Sequence, residues 1–495
     1  MIIAMSRTRV AQVNMTKRRT EADYPTIRML IGGEWRDRPS SMEIVNPADE
    51  TPLGILPSAS AEDLDDALQA ANHGSKVWRD TAPSIREEVL LRACAIIRTR
   101  VGTIATAMTL EQGKPYVEAQ AEVLRACNLI EWDASEGRRL YGRIIPSDSG
   151  HRVSVVREPV GVVAAFTPWN FPFNTPARKI GGALAAGCAI ILKPAEETPS
   201  GAFFLAQCMQ EAGVPDGVIN IVFGEPSHVS GHLIPSPIVR LVTLTGSVPV
   251  GRTLASMAGA HLKPTVMELG GHSPTIICDD VDPCAAAEAS VTAKMRNAGQ
   301  VCTSPTRFYV HTSIYDKFIT EFAQRAKSIS LGNGMDPHVE MGPLANVRRL
   351  EAIEKLTEDA IAQGGRLLTG GRRLRAPGYF YPLTTIADVP DNARAMRVEP
   401  FGPLALISPF TDLEDAIAKA NATSFGLTAY AFSNSSIYID KLQRSLECGS
   451  LSINHFVASL PETPFGGVKE SGFGREGGSE GLEAFTTIKL VNHKL

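Results

Sequence analysis

The stretch whose reading decides the fold is 161-GVVAAFTPWNFPFNTPARKIGGALAAGCAIILKPAEETP-199. It opens on an apolar run, GVVAAFTP, turns through a proline-framed corner and continues as a helical segment, ARKIGGALAAG. It ends on a second apolar run, CAIILKPA. Both runs are continuously apolar rather than alternating, so each predicts a strand covered on two faces. A strand, helix, strand order with such strands implies a parallel α/β sheet. Ligands in these sheets bind beyond the carboxyl ends of the strands. Here those ends read FTPWNFP and KPAEETP.

The same beat extends in both directions. GVINIVFG (217–224) and IVRLVTLTG (238–246) supply two more strands, each with a helical segment beside it. A second α/β block follows from about 270, with PTIICDD, TRFYVHTS and LALISPF as strands and SIYDKFITEFAQRAKSI among its helices. Upstream, residues 61 to about 137 repeat apolar residues at three and four and predict helices. YGRIIPSDSGHRVSVVREP (141–159) reads as a hairpin. FTTIKLVNHKL at the end is strand-like, and with the hairpin it predicts an arm that adds to another subunit's sheet edge.

Composition narrows the class. A chain of 495 residues has room for two or three domains. Its 44% hydrophobic and 21% charged residues are ordinary for a soluble globular protein. A net charge of -4 points to no nucleic-acid partner. No apolar run approaches the ~20 residues that cross a bilayer, so no membrane partner is expected. The eight cysteines are scattered, with no CxxC and no Cys/His cluster. That argues against a disulfide framework and against a metal site, and makes a reduced, cytoplasmic location the default. The first 20 residues carry five Lys/Arg and no acid. The expectation for 1–24 is a disordered tail or a start assigned too early, with a transit peptide as the alternative.

The strand ends carry the candidate chemistry. In FTPWNFP, Asn170 offers a side-chain amide to a developing oxyanion, although a tight turn also explains the stretch. In KPAEETP, Lys193 and Glu196 fall where a nucleotide ribose lies in a doubly wound sheet; a solvated ion pair is the rival. TGSVPVG (245–251) sets two glycines at a helix start, a place that favours phosphate. In MELGGHSP (267–274), Glu268 stands among apolar residues and glycines. There it reads either as a general base of raised pKa or as a capped structural glutamate. Cys302, in NAGQVCTSPTR (297–307), sits among small and polar residues, unlike a core cysteine. EPFGP (399–403) adds Glu399 and Phe401 at another turn.

From about residue 25 the sequence resembles the aldehyde dehydrogenase superfamily. FTPWNFP, KPAEETP, TGSVPVG, ELGGHSP, GQVCTSPTR, EPFGP and PFGGVKESGFGRE are similar to its motifs and fall in its order. The resemblance implies a Rossmann-like cofactor domain, a second α/β catalytic domain and a small β oligomerisation arm. It places the cofactor domain at 25–140 and 159–268, the catalytic domain at 269–450, and the arm at 141–158 with 480–495. It makes Cys302 the nucleophile, forming a thiohemiacetal and then a thioester. Asn170 and the Cys302 N–H would hold the oxyanion, and Glu268 would activate water. Lys179 and Glu476 match proton-relay positions. Thr167, Trp169, Lys193, Glu196, Gly246, Ser247, Glu399 and Phe401 match cofactor positions. Glu196 tilts the choice to NAD over NADP, because a carboxylate repels a 2′-phosphate.

Within the superfamily the chain looks closest to the succinate-semialdehyde and 2-oxoglutarate-semialdehyde group. Arg178 and Arg296 match the arginines that hold the substrate's far carboxylate there, and Ser459 matches a third contact. A surface ion pair is the rival reading for either arginine. The implied reaction is oxidation of an ω-carboxylated aldehyde to the dicarboxylic acid, succinate semialdehyde first, with 2-oxoglutarate or glutarate semialdehyde as alternatives. A non-catalytic NAD-binding protein and an acylating enzyme are the remaining ones. Many succinate-semialdehyde enzymes carry a second cysteine two residues after the nucleophile. Ser304 stands there in this chain, which predicts no local redox switch. The resemblance also implies a homodimer or homotetramer.

Overall fold

The computed structural model describes residues 24–40 and 42–495, so the tail expected before Tyr24 lies outside the described residues. The decisive stretch folds as read. Val162–Phe166 and Ala189–Lys193 are parallel strands, buried along their whole length. Between them runs the helix Asn174–Ala186, which ends on Gly187 at φ 94°. Glycine meets that left-handed closure without a Cβ clash.

These strands belong to an eight-stranded sheet. Its five parallel strands lie in the order Thr265–Glu268, Val239–Thr245, Val162–Phe166, Ala189–Lys193, Ile219–Ile221. The chain runs outward from Val162–Phe166 in one direction and then returns to its other side. The crevice between the ends of Val162–Phe166 and Val239–Thr245 is therefore the topological switch point, the usual seat of a ligand. Met29–Ile31 and Glu34–Arg36 extend one edge, and Gly472–Phe473 closes the other by pairing antiparallel with Met267 and Glu268.

The second sheet has seven strands in the order Arg366–Thr369, Thr384–Ala387, Leu404–Phe410, Arg307–His311, Pro274–Ile277, Thr428–Phe432, Ser450–Ile453. All neighbours are parallel except the first pair. Two separate apolar cores match the two large sheets, one drawn from residues 27–269 with Leu482 and Phe485, the other from 276–446. The hairpin and the C-terminal strand form a third sheet, in which His151–Pro159 pairs with Thr486–Lys494 through nine residue pairs. Residues 451–479, assigned to no domain by the sequence, run from the last strand of the second sheet back to the edge of the first.

Candidate active site

The cysteine loop is built from backbone that most residues avoid. Asn297, Ala298 and Gly299 all take positive φ, at 48°, 51° and 70°. Such strain persists only where surroundings over-determine it. Here Asn297 Oδ1 accepts from Gln112 Nε2 (2.9 Å), and Asn297 Nδ2 donates to the Asn170 carbonyl (2.9 Å). The Asn297 N–H donates to Glu118 (2.9 Å), and Gln300 Oε1 accepts from the Ala345 N–H (2.9 Å). None of these buried amides stood out in the sequence; only their neighbourhood to Cys302 marked them.

The glycine pairs have a steric cause. A Cβ on Gly270 would lie 2.3 Å from Glu399 Oε2, and one on Gly271 2.5 Å from the Cys302 carbonyl oxygen. A Cβ on Gly466 would lie 2.6 Å from Glu268 Oε1. The motif glycines thus let three chain segments close around Cys302 and Glu268.

Cys302 stands where two cavities meet. One, of about 370 Å³, is walled by Phe171, Arg178, Arg296, Phe456, Ser459 and Phe465 among others. The second, of about 260 Å³, is walled by Trp169, Gly246, Ser247, Arg349, Glu399 and Phe401 among others, and lies over the switch point. Cys302 and Glu268 line both. Asn170 lines the second cavity, and one N–H of its amide is spent on the Gln300 carbonyl (3.0 Å). The other N–H is left for an incoming oxygen.

Glu268 is 2% exposed, and neither carboxyl oxygen has a hydrogen-bond partner. Burial pushes its pKa well up, Glu476 adds to the rise, and Lys179, Arg178 and Arg475 oppose it. No hydrogen bond caps the carboxyl, so the reading as a capped structural glutamate falls. Cys302 is pushed up to about 12 by burial, then by Glu399 and Glu268, against a downward pull from Arg296 and Arg178. These surroundings favour the thiol over the thiolate, so a nucleophilic role would call for a proton acceptor nearby. Lys179, fully buried, donates to Thr243 Oγ1 (2.7 Å) and pairs with Glu476.

Arg178 Nη2 donates to Ser459 Oγ (3.1 Å), its Nη1 has no partner, and its guanidinium lies 5.4 Å from the centre of the Phe465 ring. Arg296 lies 5.3 Å from the centre of the Phe171 ring. Neither arginine forms a salt bridge among the described residues, so the surface ion-pair reading falls. Ser304 is buried and accepts from Lys294 Nζ (3.2 Å).

The cofactor candidates divide. Trp169, Gly246, Ser247, Glu399 and Phe401 share the second cavity, with Trp169 and Phe401 edge to face at 5.4 Å. Thr167, Lys193 and Glu196 stand outside its wall at the ends of the neighbouring strands. Lys193 is buried and paired with Glu196, so this pair is not a solvated one. The cavity suits a dinucleotide. Helix Val248–Ala260 begins there without a side-chain cap, which leaves its first N–H groups for phosphate. The hydroxyls of Thr167 and Thr245 are buried without partners. Among the described residues no cluster of His, Cys, Asp and Glu could hold a metal ion. Nor is any helix long and apolar enough to cross a membrane.

The model of the "Aldehyde dehydrogenase family" matches residues 35–491. The chain belongs to the aldehyde dehydrogenase family. This aldehyde dehydrogenase is 45% identical to the putative 4-(hydroxymethyl)benzenesulfonate dehydrogenase TsaD2 of Comamonas testosteroni, over 95% of this chain and 98% of the relative. It is 40% identical to the succinate-semialdehyde dehydrogenase [NADP(+)] GabD of Escherichia coli, over 93% and 96% of the two chains. The crystal structure of an NADP-dependent enzyme from E. coli superposes with a TM-score of 0.94 at 38% identity, covering 97% of this chain and all of that one.

Proposed function

We propose that this aldehyde dehydrogenase oxidises an aldehyde whose far end carries an anion, and that Cys302, Glu268 and Asn170 perform the chemistry. The observation that carries the reading is the pair of guanidiniums, Arg178 and Arg296, without carboxylate partners in the cavity that ends on Cys302. Both are half-buried, and a substrate carboxylate would answer them through forked hydrogen bonds. Ser459 steadies Arg178 for the contact.

In the first step Cys302 Sγ bonds to the aldehyde carbon, and Glu268 takes the thiol proton. The free N–H of Asn170 and the Cys302 backbone N–H hold the oxyanion. A bound nicotinamide supplies the hydride acceptor. Glu268 first gives up the thiol proton, for which the buried Lys179–Glu476 pair offers a route, and then takes a proton from water as it attacks the thioester. Thr167, Trp169, Lys193, Glu196, Gly246, Ser247, Glu399 and Phe401 make up the cofactor site. Glu196 supports NAD by repelling a 2′-phosphate; the E. coli relative's NADP makes the second cofactor a necessary arm of any assay.

Succinate semialdehyde is the first candidate substrate, followed by 2-oxoglutarate and glutarate semialdehydes. A second reading, an aromatic aldehyde bearing a sulfonate, is supported by the Comamonas relative's name and by three phenylalanine rings in the cavity wall. A reduced cytoplasmic location and assembly as a homodimer or homotetramer belong to the same proposal.

The test is NAD(P)H formation by purified protein on these semialdehydes and on an uncharged aldehyde of equal length, with each cofactor. Charged substrates should lead by about 10²-fold or more, the scale of a lost buried charged contact. Parity with the uncharged aldehyde would make both arginines structural.

A further inference from the structure

The helix Tyr116–Gly137 turns one face toward the substrate cavity. Glu118, Ala121, Glu122 and Arg125, spaced by three and four, all line its wall. The acids on that face are occupied. Glu118 accepts from the Asn297 N–H (2.9 Å), and Glu122 takes Lys114 Nζ (2.6 Å). Arg125 has no hydrogen bond and no salt bridge among the described residues. Arg125 is exposed to solvent where it borders the cavity, so it stands at the rim rather than in the interior. Three guanidiniums without salt bridges among the described residues therefore line one cavity.

A carboxylate has two oxygens with about four acceptor sites, which Arg178 and Arg296 fill if each gives two N–H groups. None is then left for the third cation. A sulfonate has three oxygens arranged around one axis, so three separate donors can each find an acceptor. The lining agrees with a planar body between that anion and the aldehyde. Phe171, Phe456 and Phe465 are in the wall, and about 370 Å³ exceeds what a four-carbon chain fills.

We propose that Arg125 is a third anion-binding residue, and that with it the site admits an aromatic aldehyde carrying a sulfonate at its far end. The inference rests on the anionic-substrate reading above and names its substrate class. Oxidation takes the aldehyde to the carboxylic acid and leaves the sulfonate untouched, with NAD(P) as the oxidant.

The experiment compares 4-formylbenzenesulfonate, 4-formylbenzoate, benzaldehyde and succinate semialdehyde on the wild type, Arg125→Leu and Arg125→Lys. The wild type should prefer the sulfonate to benzaldehyde by about 10²-fold or more. Arg125→Leu should lose about 10- to 100-fold in kcat/KM on the sulfonate, carried by KM, with benzaldehyde changed by less than about 3-fold. Arg125→Lys should recover part of the loss. Benzenesulfonate, an unreactive probe, should protect Cys302 from alkylation, and Arg125→Leu should need a correspondingly higher concentration. Equal losses on all four substrates, with protection unchanged, would make Arg125 structural and overturn the proposal. A wild type that favours the carboxylated aldehydes, with Arg125→Leu neutral on them, overturns it while the anionic-substrate reading stands. Parity of benzaldehyde with every anion removes both.

Discussion

At the scale of single residues, Cys302 and Glu268 present the same difficulty. Glu268 is buried and Cys302 half-buried, both are pushed toward their protonated forms, and the Glu268 charge adds to the rise at Cys302. Cys302→Ala should abolish NAD(P)H formation while nucleotide binding, followed by fluorescence, persists, because the cysteine only borders the second cavity. Glu476 lends itself to a pH test. Its charge raises the pKa of Glu268, so Glu476→Gln lowers it, and Lys179, released from its partner, pulls the same way. The base form then exists at lower pH, and the acid limb of the kcat–pH profile should move to lower pH. A limb that stays in place or moves up would remove Glu268 from the base role. Cys302, Glu268 and Asn170 were legible in the sequence because each sits in a motif at a strand end or a turn. Arg125 was not legible. It is an exposed residue of an ordinary amphipathic helix, and only the fold shows that its side of the helix borders the cavity.

At the scale of elements, the helix that carries Arg178 and Lys179 is held at its start by a residue from another helix. Glu122 Oε1 accepts from the Phe173 and Asn174 N–H groups, both at 3.0 Å. Its other oxygen takes Lys114 Nζ, which also donates to the Asn170 carbonyl (2.7 Å). Side-chain exposure of the pair is 1% and 3%. Glu122→Ala would leave a buried ammonium and two N–H groups unsatisfied. It should destabilise the fold by about 3–5 kcal/mol, read as a lowered thermal midpoint, and should lower activity with it. An unchanged midpoint would show that water replaces the carboxylate. The parallel strands were readable from continuous apolar runs such as VVAAF and AIILK. Thr428–Phe432, Ser450–Ile453 and Thr384–Ala387 were missed. TAYAF, SLSI and TTIA mix small and polar residues, and the partners that bury them lie far away in sequence.

At the scale of the whole molecule, the order of strands places the site. Reversal of direction around Val162–Phe166 opens the crevice, and Thr245–Ser247 and Trp169–Asn170 lie at its rim. The arm sheet presents Ile144, Ile488 and Leu490 to solvent, at 75%, 65% and 63% exposure. Such a strip beside an open strand edge invites a second chain. Light scattering should find a dimer or tetramer, and Ile488→Lys with Leu490→Lys should shift it to smaller species; a monomeric wild type would discard the arm's role. The stretch after Ser450–Ile453 leaves one sheet and ends, through Gly472–Phe473, as a strand of the other, hydrogen-bonded beside Glu268. Ser471 fastens its far end from two sides, giving its Oγ proton to the Gly270 carbonyl (2.7 Å) and accepting from the Gly426 N–H (2.9 Å). This strap ties the backbone beside Glu268 to both sheets at once, so a change in the angle between the sheets would be felt first at that carboxylate.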